Sequence, residues 1–305
     1  MMTVRSGLLL ALLSLVVVAA LTSVGAGNTS DVLTESRTPR LDPDYTDVVI
    51  PPNMAPLNFV LQESGVEFRI DIGAVGGEAQ IEIHTDTPDI RIPIKAWRQL
   101  LSKNIGESIE IRVRTRNEAG QWRQYQSITN HVARDSIDSH LVYRLLRPVY
   151  NKYVHMGIYQ RDLTSFDESP ILENRHAENA CLNCHTFHQN RPDPMLLETR
   201  GGKRSPVLVA RGGEVETIDT ITEFNHSPAT YATWHPGGQH VCFSLNNATL
   251  FFHTDPSVET REVFDATSEL VVYSFQDNMI TTTPAISSLD FAETWPEWSA
   301  DGKHL

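Results

Sequence analysis

The stretch Thr294-Trp295-Pro296-Glu297-Trp298-Ser299-Ala300-Asp301-Gly302-Lys303-His304-Leu305 decides the fold. It sets tryptophan ahead of a polar turn at Asp301-Gly302, then begins a strand. An earlier stretch has the same order: Ala229-Thr230-Tyr231-Ala232-Thr233-Trp234, the turn His235-Pro236-Gly237-Gly238-Gln239, then His240-Val241-Cys242-Phe243-Ser244. A strand–turn–strand signal that recurs along a chain is the mark of propeller blades. Trp234 and Trp298 stand 64 residues apart. That exceeds the ~40–50 of a typical blade and implies a loop insertion. Hairpin signals fill the surroundings: 206–211 and 215–218 about Gly212-Gly213, then 270–275 and 279–283 about Gln276-Asp277-Asn278. Two blade starts do not close a ring of ~4–8 blades. The expectation for 201–305 is an incomplete propeller, either a fragment or one whose open edge is covered by partners, and less stable than the β domain before it.

That earlier domain is read from alternation. Phe68-Arg69-Ile70-Asp71-Ile72, Ala79-Gln80-Ile81-Glu82-Ile83, Ile90-Arg91-Ile92-Pro93-Ile94 and Ile109-Glu110-Ile111-Arg112-Val113-Arg114 each alternate apolar with polar residues. Alternation gives one buried and one wet face, the pattern of half-buried strands. Turn signals separate the runs, so 48–135 is predicted as a small β-sandwich. Pro93 demotes its strand to an edge or bulge, and Ala96 to Leu101 reads as one helical turn. Residues 28–47, polar and carrying Pro39 and Pro43, read as a linker.

Residues 136–200 have no clean period of either kind and are predicted as a partly helical connector, with Asp167 and Glu168 near Pro170 as a helix start. This segment holds Cys181-Leu182-Asn183-Cys184-His185. In an exported chain, Cys-x-x-Cys-His reads as a c-type haem attachment site. Two thiols at this spacing reach the two vinyl groups on one porphyrin edge, and the following histidine reaches the iron. Cys181 and Cys184 are thus the candidates for covalent haem, and His185 for the proximal iron ligand. Met195, after Pro192-Asp193-Pro194, ranks first for the distal position, ahead of Met156 and His176, with His188 too close in sequence; an open sixth position is the alternative. Competing readings of the motif are a Cys181–Cys184 disulfide, a thioredoxin-like pair, and zinc held by both cysteines with two of His176, His185 and His188. Cys242 reads as a core residue. His226, His235, His240 and His253 read as surface or structural residues.

Compartment follows from the N-terminus. Arg5 precedes an uncharged run, Gly7 to Gly27, whose core Leu8 to Leu21 is Leu, Val and Ala-rich. Residues 1–27 read as a secretory signal peptide, or as a retained anchor giving membrane association. Either reading places the rest of the chain in the periplasm or cell envelope. The 305 residues carry 25 Lys+Arg against 38 Asp+Glu, a net charge of −13. That balance argues against nucleic acid as a partner. Three cysteines do not make a disulfide framework.

Pro296-Glu297-Trp298-Ser299-Ala300-Asp301-Gly302-Lys303 resembles the blade turn of the TolB-type, WD-like propellers, with Ala300 where that family has proline. With Ile50 to Phe59, Tyr143 to Pro148, Met156 to Leu163 and Cys181 to Phe187, the order over 50–305 resembles an exported bacterial family that joins a Cys-x-x-Cys-His segment to TolB-like repeats. The resemblance implies haem c and an envelope location. The expected function is electron transfer with a redox or envelope protein partner. The alternative is a non-redox envelope module whose propeller binds a protein or glycan, with Cys181 and Cys184 as a disulfide clasp. No nucleophile–base set or phosphate loop stands out, so no enzymatic activity is inferred. The fold class expected is mainly β: an N-terminal β-sandwich, a partly helical haem-bearing connector, and an incomplete β-propeller.

Overall fold

The computed structural model describes residues 32–149, 152–201, 205–225, 227–252 and 261–305. The export signal read at 1–27, the linker's first four residues, His226 and His253 lie outside the described residues. The described chain is mainly β, in several sheets of which none closes on itself. It divides into two compact units: residues up to 49 with 57–92 and 107–131, and residues 50–56 with 93–106 and 132–305.

The elements before residue 133 are β1 (Leu33–Thr34), β2 (Leu41–Asp42), β3 (Val49–Ile50), β4 (Phe59–Leu61), β5 (Glu67–Ala74), β6 (Ala79–Thr85), β7 (Asp89–Ile90), α1 (Ile94–Lys103), β8 (Ser108–Arg116), β9 (Trp122–Gln124) and β10 (Ile128–Val132). In the first unit β8 is the central strand. β5 pairs antiparallel along one edge of it, while β9 and β10 share the other edge. Ile109, Ile111 and Val113 of β8 and Phe68, Ile70 and Ile72 of β5 are buried, as their alternation predicts. A three-stranded sheet, β2-β4-β7, buries Leu41, Phe59, Leu61 and Ile90.

Residues 33–42, inside the predicted linker, enter these sheets: β1 pairs parallel with β9, and β2 pairs with β4. An ion pair fixes them. Arg37 donates both guanidinium nitrogens to Glu63, at 2.6 and 2.8 Å, and the Arg40 amide and Tyr125 hydroxyl donate to the same carboxylate at 2.9 and 3.2 Å. The alternation at 90–94 also has a different outcome. β7 stops at Ile90, and Pro93 precedes a ten-residue helix rather than one turn. Proline's fixed φ suits the entry to a helix, and Trp97, Leu100 and Leu101 supply the i, i+3, i+4 buried stripe.

In the second unit, β11 (His140–Val149), β12 (Lys152–Asp162) and β13 (Glu168–Glu173) form an antiparallel sheet. Two four-stranded antiparallel meanders follow: β14 (Cys181–Phe187), β15 (Met195–Arg200), β16 (Val207–Arg211) and β17 (Glu214–Ile218), then β18 (Thr230–Trp234), β19 (His240–Phe252), β20 (Arg261–Ser274) and β21 (Met279–Thr281). The helical connector predicted for 136–200 is therefore not what forms. Its only helical pieces among the described residues are single 3-10 turns at Asn174–His176 and His188–Asn190, and Glu168 opens a strand. The reason is burial on both faces. Met195 and Leu197 of β15 pack with Met156 and Ile158 of β12. Leu196 packs with Trp234, Val241, Phe243 and Val271 of the second meander. A strand covered on both sides shows an apolar run instead of alternation.

Both meanders begin with the same turn, and a third copy follows. The amides of Arg191, Gly238 and Gly302 donate to the carbonyls of His188, His235 and Ser299, at 3.1, 2.8 and 2.8 Å. His188, His235 and Ser299 in turn donate their amides to Pro194, His240 and His304, at 3.2, 3.0 and 2.9 Å. The first copy sits at the end of the Cys-x-x-Cys-His strand and carries one extra residue.

Candidate functional site

The three turns interlock. His188 Nε2 donates to the Pro236 carbonyl at 2.8 Å, and its ring lies 5.8 Å from that of Trp234. One repeat on, His235 Nε2 donates to the Gly302 carbonyl at 3.1 Å, with its ring edge-on to Trp298 at 4.8 Å. His235 Nδ1 accepts the Gly237 amide at 2.9 Å, which assigns the ring proton to Nε2. Both rings press on the glycine of the next turn, Gly238 (φ +71) and Gly302 (φ +69), where a Cβ would meet the imidazole at 3.2 and 2.6 Å.

This interlocking frames a cavity of about 760 Å³ lined by Cys184, His185, Phe187, His188, Glu198, Tyr231, Trp234, Trp295 and Trp298, among others. The size falls in the range of small-molecule sites. Burial pushes the Cys184 thiol up, and the neighbouring Glu198 adds to it. Burial pushes His185 down, against a hydrogen bond to the Val142 backbone. Glu198, only 1% exposed, is pushed up to about 7 by burial, against the Ala232 amide that donates to its Oε1 at 3.0 Å. Its Oε2 has no hydrogen-bond partner among the described residues.

Of the sequence-predicted residues, Cys184 and His185 are brought to the cavity. Cys181 is not: it is buried with Met156, Ile158, Leu182, Met195 and Leu197. A β-bulge between Leu182 and His185 separates the two thiols along the strand, and all three cysteines are thiols without a disulfide. Met195 pairs with Phe187 in register and is buried in that same cluster, away from the cavity lining. His188, set aside from sequence, lines the cavity but spends its Nε2 on Pro236. The cysteines with His176, His185 and His188 form no metal-ligating cluster among the described residues, which leaves the zinc reading without support. Cys242 is fully buried, with its thiol pushed up to about 12 by burial.

The residues present fit a haem in one respect: the cavity joins one motif thiol and the motif imidazole to a wall of aromatic rings. Attachment through both sulfurs asks one rearrangement, that Cys181 leave its apolar cluster. Glu198, Trp234 and Trp298 were not singled out as site residues from sequence. The available signal was the 47-residue offset between Phe187-His188 and Trp234-His235, a blade-length period that marks the motif strand as a first repeat. Neither a known protein family nor a curated protein matches the chain.

Proposed function

We propose that this chain is an exported c-type haem protein of the cell envelope that transfers electrons, built on TolB-like propeller repeats. The observation that carries the reading is the placement of Cys184 and His185, two of the three motif residues, on the wall of one aromatic-lined cavity. Three copies of one turn and two adjoining four-stranded meanders support the propeller repeat. The apolar N-terminal run supports export. In this reading the Cys181 and Cys184 thiols would each add S–H across a vinyl C=C bond, sulfur to one carbon and hydrogen to the other, so that no oxidant is consumed. His185, whose burial favours the neutral imidazole, would hold the iron. Haem, when bound, would supply a one-electron couple.

The test is expression in cells carrying the haem attachment machinery, followed by a haem peroxidase stain on a denaturing gel and reduced-minus-oxidised spectra. Stain that migrates with the chain, and disappears in the Cys181→Ala/Cys184→Ala variant, is the expected result. Unstained wild-type protein from such cells overturns the reading and leaves a non-redox binding module.

A further inference from the structure

The second meander carries an extended two-stranded ribbon. β19 and β20 run on past β18 and β21, and over 248–252 and 261–265 they pair only with each other among the described residues. This extension is why Trp234 and Trp298 stand 64 residues apart, beyond the 47-residue offset one repeat earlier. A two-stranded ribbon by itself is marginally stable in water. This one also exposes Phe251, Val263 and Phe264, at 54, 55 and 62%. Opposed residues of an antiparallel pair share a face, and successive ones alternate. Phe251 and Phe264, opposite Glu262 and Thr249, thus lie on one face and Val263 on the other. Apolar residues on both faces beside an open backbone edge form a template for another strand.

The strand that fits this edge is β20 itself. The Ser268 carbonyl turns outward and accepts the Glu293 amide at 3.0 Å. Ser268 faces Asn246, and counting in twos along β19 from there reaches Ala248, Leu250 and Phe252, opposite Asp265, Val263 and Arg261. Those three therefore present their amides and carbonyls to the open edge. They are self-complementary. A second copy laid antiparallel about Val263 sets valine against valine, and Arg261 against Asp265 twice. Within one chain these two are four residues apart on a strand, about 13 Å, too far to pair with each other. On the other face the same register sets the two Phe264 residues diagonal to one another, within aromatic reach. We propose that residues 261–265 are a dimerisation edge, where β20 of one copy pairs with β20 of a second in an isologous, two-fold contact. Haem plays no part in it.

The experiment is sedimentation equilibrium of the full chain and its variants over a concentration series, with far-ultraviolet circular dichroism to confirm folding. Wild type is expected to be a dimer. Arg261→Asp and Asp265→Arg are each expected to weaken it by at least about tenfold, because each sets like charges opposite one another twice. Mixing the two variants puts opposite charges back at both positions of a mixed pair. The Arg261→Asp/Asp265→Arg double variant does the same within one sequence. Both samples are expected to regain the wild-type dimer affinity. A monomeric wild type overturns the proposal and leaves the ribbon to a different protein. A dimer that the single variants leave intact places the contact elsewhere on the chain and also overturns it. So does a loss that neither the mixture nor the double variant repairs, since the charges would then act within one chain.

Discussion

Cys184 and Cys181 occupy unlike surroundings although three positions apart. Cys184 is at the cavity, while Cys181 is 5% exposed among Met156, Met195 and leucines. Of the two, Cys184 meets a cavity ligand without rearrangement. Cys184→Ala is therefore expected to remove most covalent haem. Cys181→Ala is expected to retain a single thioether, with its reduced absorption band moved to longer wavelength by the vinyl left in conjugation. Haem stain per mole of protein decides it, and equal losses would place the two thiols alike. Burial of Cys181 adds a stability cost of about 1 kcal/mol for its truncation, so folding is checked by far-ultraviolet circular dichroism.

The interlocked turns are the elements that join the repeats. His235→Ala removes the donor to Gly302 and the acceptor of the Gly237 amide, at an expected cost of about 1–2 kcal/mol. Gly302→Ala forces a side chain into φ +69 and within 2.6 Å of the same ring, a strain of about 1–3 kcal/mol. Because the clash partner is His235 itself, the double variant is expected to be less destabilised than the sum of the singles by urea unfolding. Strict additivity would mean that the ring and the turn do not couple. The second and third turns were legible from Trp234, Trp298 and their glycines. The first was not, because Arg191 stands where they have glycine, the turn is one residue longer, and β15 shows no alternation when both its faces are covered. β5, β6 and β8 were legible because each has one buried and one wet face. β1 and β2 were missed because two-residue strands carry no period; what holds them is Glu63, whose partners are fixed only by the fold. The cavity was half legible: Cys184 and His185 came from a motif, whereas Glu198 and the indoles belong to it only once β14 lies against β18.

At the scale of the whole molecule, each unit carries one buried carboxyl among the described residues, Glu63 and Glu198, and the two are perturbed in opposite directions. Glu63, in the first unit, is pulled down to about 2, chiefly by the Arg37 hydrogen bonds. A carboxylate depressed below its unfolded value of about 4.3 adds stability that is present above that value and is lost as pH falls toward 2. With Arg37 part-exposed, that share is about 1–2 kcal/mol after solvent screening. Glu198, in the second unit, is raised by burial to about 7. Below about pH 4 both its folded and unfolded forms are protonated and it has no effect. Between about 4.3 and 7 the unfolded form ionises first, so the second unit loses about 2–3 kcal/mol across that window and stays at the lower value above it. Each unit buries its own apolar residues, so the two slopes are separately readable. Segment-resolved hydrogen exchange, corrected for the intrinsic rate, is expected to show 67–74 and 108–116 weakening from pH 5 to pH 3. Over pH 5 to pH 8, segments 195–200 and 240–245 are expected to weaken instead. Glu63→Gln is expected to flatten the first slope without touching the second, and Glu198→Gln the reverse. A common slope in both units, or a variant that flattens both, would show that these two carboxyls do not set the pH response.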